Sequence, residues 1–282
     1  MASDQGHPMD IGMFTQLFPQ APQDHLTQMA AQSDELFGSF GFADAGKSNR
    51  LPYFLANVGH ESGGCTITHE NLNYSTAARL CAVWPSRFPT EASAQPYVNN
   101  PQALANNVYA GRMGNTQPGD GYLYRGRGYI QLTGRDAYTA VGQAAGLDLV
   151  NNPDLAAAPE NALRVACGFW AWKGLNPVCD TGDFNAVVEK INGGLNGLDD
   201  RNAWLAKVQK VLAGESVRDL NAKSTIQAVQ QALNSRGYTE VGTADGIWGN
   251  NSQKGADRFR KDNNLGGVGN KVDTALLSAL GL

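Results

Sequence analysis

Three features are scarce or missing in this sequence of 282 residues, and two of them bear directly on possible partners. Lys and Arg number only 22 against 26 Asp and Glu, so the formal net charge is −4. Nucleic-acid-binding proteins depend on an excess of Lys and Arg to contact phosphates, and a nucleic acid partner is therefore not expected. No apolar run reaches the roughly 20 residues that a membrane-spanning helix requires, so membrane insertion is not expected either.

The third scarce feature is cysteine, and its spacing argues against a metal site. The four cysteines are Cys65, Cys81, Cys167 and Cys179, and no two of them form the CxxC pair that is typical of structural zinc sites. Two disulfides, such as Cys65–Cys81 with Cys167–Cys179, represent one of three pairings among which the sequence does not choose. Four buried free thiols, as in a protein of a reducing compartment, are the alternative.

The N-terminal residues 1–23 lack both the basic segment and the apolar run of a secretory signal. We therefore expect a protein without an export signal of its own. If its substrate lies outside the cytoplasm, another component has to deliver it.

Apolar residues recur at helical spacing through most of the chain, which predicts a mainly α fold. The clearest segments of this kind in the first part of the chain are 24–41, 50–62, 159–175 and 199–214. A polar stretch at 217–224 then precedes three further helical segments. Because the chain exceeds the usual length of one domain, we predict one domain at 1–214 and a small three-helix domain at 219–282.

Two Gly-rich loops, 106–134 and 191–200, interrupt the helical pattern. Long loops of this kind are costly to order and are more often functional than the segments that they connect. We expect them to form walls of a cleft.

The stretch GHESGGCTITHENLNYS at 59–75 contains two glutamates nine positions apart, Glu61 and Glu70. Glu61 ends an apolar helical segment, where partial loss of water favours the protonated carboxyl that a general acid needs. Glu70 lies among polar side chains such as Thr68 and Asn71, which hydrate a carboxylate and suit a general base. Two carboxyls in such different surroundings are the apparatus of glycosidic bond hydrolysis.

These residues alone leave other interpretations open. Glu61 as a helix cap and Glu70 as a solvated loop residue are the structural alternative. A metal site at this stretch is disfavoured, because His60, Glu61 and His69 do not have the HExxH spacing that brings two imidazoles to one face of a helix. No metal and no cofactor are expected.

Three further motifs follow HESGG in a fixed order: YRGRGYIQLTG at 124–134, ALRVACGFWAW at 162–172 and INGGLNG at 191–197. In this order they resemble the family 19 chitinases and, in particular, the family 19-like phage endolysins. The resemblance covers about residues 25–213 and implies a lysozyme-like fold.

The resemblance also implies roles for individual residues. Glu61 matches the general acid of the family, and Glu70 matches the second glutamate of the endolysin branch. The implied substrate contacts are Thr68, Tyr124, Gln131, Thr133, Asn192 and Arg201. Within this set, Gln131 and Thr133 would help to hold the attacking water, and Arg201 would steady the catalytic carboxylates by charge attraction. Ordinary turns at Gln131, Thr133 and Asn192 remain the alternative.

Two departures from the chitinase pattern concern the substrate, and the first of them favours peptidoglycan over chitin. Plant-type chitinases separate the two glutamates by a longer loop, whereas the spacing of nine matches the phage lysins. The sequence after Gln131 also lacks the Asn- and Tyr-rich run of the chitinases, so their chitin subsites do not carry over to this stretch.

Residues 229–265 resemble the three-helix peptidoglycan-binding module of cell-wall hydrolases. The matching elements are a QxxL pattern at 230–233, a DGxxG turn at 245–249 and a helix end at 259–265, although Arg260 stands where the module usually has Gln. The resemblance implies wall contacts at Asp245 and Trp248. The alternative is a core position for Trp248 and a purely turn-forming Asp245.

The combined prediction is an endolysin-like muramidase that cleaves β-1,4 bonds of bacterial peptidoglycan and acts as a monomer. We expect synthesis in the host bacterial cytoplasm and action on the cell wall, with a holin for release if the protein is phage-encoded. The alternatives are a chitinase, a wall-binding protein with structural glutamates and a secreted effector directed at bacterial walls.

Overall fold

A computed structural model describes residues 9–214, 220, 222–263, 265 and 272–282. The chain divides into two compact units, Met1–Glu215 and Ser216–Leu282. Residues 1–8 belong to the N-terminal segment that we expect to lack an export signal, and they lie outside the described residues. Parts of the polar stretch at 217–224 also lie outside them. The helix end predicted at 259–265 also includes one residue outside them.

The described residues of the first unit form twelve helices, and the prediction of a mainly α fold is confirmed. They are α1 Ile11–Leu17, α2 Gln23–Ser39, α3 Arg50–Glu61, α4 Ala77–Val83, α5 Glu91–Ala94, α6 Pro101–Val108, α7 Asp120–Leu123, α8 Arg135–Ala145, α9 Pro159–Trp172, α10 Asn176–Cys179, α11 Phe184–Asn192 and α12 Leu198–Leu212. Short 3₁₀ turns lie at Gln95–Tyr97 and Pro153–Ala156. In the part of the chain that the structure describes, no helix has the length and apolar character needed to cross a membrane.

The four segments with the clearest helical pattern form α2, α3, α9 and α12. Helix α11 was not predicted, and it extends into the loop expected at 191–200. Gly193 ends this helix in the left-handed region, with φ of 72°, which glycine adopts without steric cost. As a result, Asn192 is the last residue of a helix and is held more firmly than a loop residue.

Helix α3 packs closely against α12, and this contact positions the end of α3. A Cβ atom on Gly59 would lie 2.6 Å from the ring of Trp204, so the indole can cross α3 there only because the side chain is absent. On its other side α3 carries Phe54, which is fully buried and packs edge-on against Trp170 of α9 with 5.3 Å between ring centroids. Helix α3 is thereby held between two packed surfaces.

All four cysteines are free thiols in this structure. Cys65, Cys167 and Cys179 are buried, and burial raises the pKa of the Cys65 thiol to about 12. A buried thiol that stays protonated at neutral pH is a poor nucleophile. These side chains therefore act as small apolar core residues.

In the part of the second unit that the structure describes, three helices surround an apolar core. They are α13 Lys223–Ser235, α14 Asn250–Asp262 and α15 Thr274–Ala279, with a 3₁₀ turn at Thr239–Val241. The buried side chain of Gln230 anchors the DGxxG turn, because its amide nitrogen donates to the Oδ1 atom of Asp245 and to the carbonyl oxygen of Ile247, both at 3.1 Å. Its amide oxygen accepts from the backbone N–H of Gly246 at 2.8 Å. The first glutamine of the QxxL pattern therefore holds this turn in place.

Candidate active site

Glu61 is the last residue of α3, and its side chain is paired with a buried arginine. The Oε1 atom of Glu61 accepts a hydrogen bond from Nη2 of Arg201, and Nη1 of Arg201 donates to Oδ1 of Asn57. Arg201 is only 1% exposed, whereas 20% of the Glu61 side chain is exposed. The arginine therefore orients the glutamate from the protein interior and leaves part of its carboxylate open to solvent.

A second pair lies directly beside the first. Nδ1 of His60 is 2.6 Å from Oδ2 of Asp200, so consecutive residues of α3 contact consecutive residues of α12. A Cβ on Gly197, just before α12, would lie 2.5 Å from the His60 ring. Asp200 and Arg201 thus join the start of α12 to the end of α3 at two adjacent points.

Glu70 lies in a loop that is docked by backbone hydrogen bonds onto the GRG motif. Its own N–H donates to the carbonyl oxygen of Gly126 at 2.9 Å, and the N–H of Gly128 donates to the carbonyl oxygen of Thr68 at 2.8 Å. The Gly126 N–H in turn donates to Oε2 of Glu70 at 3.1 Å. The side chain of Thr68 contacts His69, with 3.1 Å between Oγ1 and Nδ1, so its position beside Glu70 is set mainly by its backbone.

Tyr109 completes the surroundings of Glu70 and was not predicted as a site residue. Its hydroxyl donates to Oε1 of Glu70 at 2.5 Å. Burial, reinforced by the hydrogen bond to Glu70, raises the pKa of Tyr109 well above its usual range. The hydroxyl therefore remains a proton donor at any pH near neutrality, and Glu70 accepts one hydrogen bond on each carboxylate oxygen.

Replacing Tyr109 with phenylalanine is expected to lower kcat about tenfold, because it removes one of the two donors that hold the Glu70 carboxylate. The fold should survive, since the ring keeps its packing. Tyr97→Phe is the matched control: its hydroxyl accepts from Asn107 at 2.8 Å and does not contact Glu70. Steady-state kinetics on the two variants would argue against a role for Tyr109 if both lost activity equally.

A cleft of about 460 Å³ opens beside Glu61. Four of the predicted residues line it: Glu61, Gln131, Thr133 and Asn192. They come from the end of α3, from the QLT stretch and from the end of α11. The structure therefore brings together residues that are far apart in sequence, and their individual roles stay predictions.

Gln131 links this cleft to Glu70. A Cβ on Gly126 would lie 3.1 Å from Oε1 of Gln131 and 3.3 Å from Oε2 of Glu70, so both side chains border the same small space. Gln131 also has φ of 50°, a left-handed conformation that is uncommon for a residue other than glycine. Strained backbone of this kind collects at functional sites, where the surrounding structure maintains it.

Tyr124 was expected to contact the substrate, but its side chain lies in the core. It is 1% exposed, and its hydroxyl donates to the carbonyl oxygen of Val150 at 3.1 Å. The N–H of Gly134 donates to the Tyr124 carbonyl oxygen at 2.8 Å, which closes the loop that contains Gln131. Tyr124 therefore supports this loop from the core. Arg201 likewise lies behind Glu61 and outside the lining of the cleft.

Several cleft residues were not predicted as site residues: Met113, Ile130, Asp136, Phe169, Trp172 and Lys173. The two tryptophans of the FWAW run lie in different surroundings, and Trp170 is a core side chain that is 1% exposed. Trp172 faces the cleft instead and is 41% exposed. The signal that distinguishes these two tryptophans is their spacing, because positions two apart on a helix point to different sides.

The residues predicted to contact the cell wall both lie near the DGxxG turn of the second unit. Asp245 is exposed and borders a second cleft of about 460 Å³, together with Ile247, which is 67% exposed. Trp248 is partly buried against the core of this unit, and its indole N–H donates to Gln253 at 2.9 Å. Among the described residues of the whole chain, no three His, Cys, Asp or Glu side chains converge to hold a metal ion.

Comparisons with known proteins agree with this architecture. The family described as Chitinase class I, glycosyl hydrolase family 19, matches residues 25–191. A glycosyl hydrolase family 19 domain-containing protein of Haemophilus influenzae is 36% identical over 192 residues, which are 67% of this chain and 89% of that protein. An endochitinase of Arabidopsis thaliana is 34% identical over 131 residues, 45% of this chain and 47% of that protein.

A solved structure supports the fold. The crystal structure of chitinase C from Streptomyces griseus superposes with a TM-score of 0.50 at 21% identity, and the match covers 77% of this chain and 98% of that one. Together with the family match over residues 25–191, these similarities show that the chain belongs to glycosyl hydrolase family 19 and is a glycoside hydrolase.

Proposed function

We propose that this glycoside hydrolase cleaves β-1,4 glycosidic bonds of bacterial peptidoglycan, in the manner of an endolysin. The observation that carries the proposal is the pair of glutamates nine positions apart, one in the cleft and one held by two donors beside Gln131. Glycosidic bond hydrolysis by acid–base catalysis needs two carboxyls in distinct surroundings.

Glu61 is the general acid in this proposal because it lines the cleft and part of its side chain is exposed to solvent. Glu70 is the general base: Tyr109 and the Gly126 N–H hold its two oxygens, and the side chain of Gln131 lies next to it. A water in that space would be positioned by Gln131 and activated by Glu70. Arg201 would keep Glu61 in place throughout the reaction.

Peptidoglycan is favoured over chitin by the short connection between the two glutamates. The segment from Thr68 to Glu70 is already docked on Gly126 and Gly128, so this connection leaves little length for an additional sugar-binding loop. Chitin is the second candidate, because several relatives are named endochitinases. A wall-directed secreted effector would use the same chemistry and would differ in its genetic neighbours and immunity partner.

The substrate is tested by measuring initial rates on purified peptidoglycan and on a soluble chitin hexamer with the same enzyme. The proposal expects release of soluble glycan fragments from peptidoglycan and slower cleavage of the chitin hexamer. The opposite order would assign the chain to chitin. Sedimentation with cell walls without any fragment release would instead indicate a binding protein with structural glutamates.

The second unit is proposed to hold the enzyme on its polymeric substrate, through the turn that contains Asp245 and Trp248. A tethered weak binder raises the local concentration of substrate, which in favourable cases increases avidity by roughly 10²–10⁴. Removing residues 219–282 is therefore expected to slow digestion of intact walls at least about tenfold. Cleavage of short soluble glycans should be unchanged, because they gain nothing from tethering.

The control for this truncation is its own activity on soluble fragments. If the shortened protein were insoluble, the two parts would share one core and the domain boundary would be wrong. If it digested intact walls at the rate of the full chain, residues 219–282 would have no role in wall binding. Monomeric action, and delivery by a holin if the protein is phage-encoded, belong to the same proposal.

A further inference from the structure

The C-terminal end of α9 places a lysine in the wall of the catalytic cleft. Lys173 follows the last residue of α9 and lines the same cavity as Glu61, Thr133 and Asn192. We propose that Lys173 is a specificity-determining residue that binds a carboxylate on the substrate and so selects acid-bearing glycan strands over neutral ones. This inference rests on the proposed function and names the chemistry by which the same cleft would recognise peptidoglycan.

Two aromatic rings hold the ammonium group in position. Nζ of Lys173 lies 4.6 Å from the ring centroid of Trp172 and 5.8 Å from that of Phe169. The two rings meet edge-on, with 5.8 Å between their centroids. A cation over an aromatic face is attracted by the ring but keeps its full charge. The lysine is therefore positioned before any substrate arrives.

No carboxylate of the described residues lies within ion-pair distance of Lys173, whereas Glu61, another ionisable residue of the cleft lining, is paired with Arg201. Asp136, in the first turn of α8, packs against Gly114, where a Cβ would lie 2.1 Å from its Oδ1 atom. An anionic substituent would be repelled by Asp136 and attracted by Lys173.

A structural role at the helix end is the competing explanation for a lysine at this position, since cations are favourable near helix C-termini. That role is already filled by another lysine. Nζ of Lys190 donates to the carbonyl oxygen of Gly174, just beyond α9, at 3.0 Å. Lys173 is left to face the cleft.

The chemistry of the two candidate glycans differs in the group that Lys173 would recognise. Chitin consists of uncharged N-acetylglucosamine residues. In peptidoglycan, every second sugar carries a lactyl ether whose carboxyl is either free or extended by a peptide with its own carboxylates. An ammonium–carboxylate hydrogen bond is charge-assisted and stronger than a neutral one.

The test uses three substrates prepared from one batch of soluble glycan strands. The first retains the stem peptides, the second has lost them to an amidase and exposes the lactyl carboxylate, and the third is the methyl ester of the second. The full-length wild type is compared with Lys173→Gln, with Lys173→Arg and with Lys210→Gln, which removes one exposed positive charge outside the cleft lining.

The wild type is expected to have a KM about tenfold lower for an acid-bearing strand than for the ester, as one charge-assisted hydrogen bond would give. Lys173→Gln should raise that KM about tenfold without changing kcat and should leave the kinetics on the ester unaltered. Lys173→Arg should restore the preference, and Lys210→Gln should behave as the wild type. The preference should weaken at high salt. A raised KM of Lys173→Gln on the peptide-bearing strands would assign the bound group to a peptide carboxylate. A raised KM on the amidase-treated strands would assign it to the lactyl carboxylate.

Equal kcat/KM of the wild type on acid and ester, or an unchanged preference in Lys173→Gln, would overturn the assignment of Lys173. In either case, cleavage of the strands would still support peptidoglycan as the substrate. If the wild type cleaved a chitin hexamer but none of the three strands, the proposed function would fail, and the assignment of Lys173 would fail with it.

Discussion

Replacing Glu61 with glutamine is expected to lower kcat by roughly 10²–10⁴, the usual contribution of general acid–base catalysis. The amide has nearly the shape of the carboxyl and still offers an oxygen to Arg201, but it cannot donate the proton that the leaving sugar oxygen requires. Binding to cell walls should persist, because the substitution leaves the second unit untouched. Turbidity loss of a cell-wall suspension measures the first effect, and co-sedimentation measures the second.

Glu35→Gln is the matched control for this substitution. Glu35 also pairs with an arginine, Arg164, at 3.2 Å, but its side chain is 72% exposed and lies outside the cleft. The control should retain full activity, which would show that loss of an ion pair alone does not stop turnover. Near-normal turnover by Glu61→Gln would remove Glu61 from the role of acid.

Replacing Arg201 with methionine is expected to reduce both stability and turnover. The buried guanidinium of Arg201 in α12 donates hydrogen bonds to two residues of α3, Glu61 and Asn57. Removing one member of a buried ion pair typically costs about 3–5 kcal/mol of unfolding free energy. Because part of the Glu61 carboxylate can be hydrated, we expect a loss of about 3 kcal/mol. A misplaced Glu61 should lower kcat as well.

Denaturant unfolding and steady-state kinetics measure the two effects separately. Arg164→Met, at the exposed pair with Glu35, should lose less than about 1 kcal/mol, as exposed ion pairs do. Arg201→Lys keeps the charge but lacks the fork that bonds Glu61 and Asn57 together, so it should recover only part of the activity. A loss below about 1 kcal/mol in Arg201→Met would contradict the account of Arg201 as the anchor of Glu61.

Local sequence pattern was sufficient to predict the helices that frame the site. Apolar spacing and end signals placed α3 and α12, and Glu61 follows from its position at the end of an apolar segment. The pairing of Arg201 with Glu61 was also predictable, because the family resemblance implies that Arg201 steadies the catalytic carboxylates. These features depend on short stretches of sequence.

The surroundings of Glu70 depend instead on the path of the chain between distant residues. Tyr109 follows Glu70 by 39 positions and lies in a Gly-rich loop whose course no local pattern specifies. The same holds for Tyr124, which was expected to face substrate. Its side chain enters the core, while Gly126 of the same YRGRG motif donates to Glu70.

Hydrolysis by Glu61 and an activated water can be tested by digesting purified peptidoglycan in oxygen-18 water and analysing the released fragments by mass spectrometry. We expect each fragment from the wild type to end in a reducible N-acetylmuramic acid with one oxygen-18 atom, and Glu61→Gln to release almost none. Unlabelled anhydro ends would contradict hydrolysis by an activated water. Equal yields of labelled fragments from the wild type and Glu61→Gln would contradict the role of Glu61.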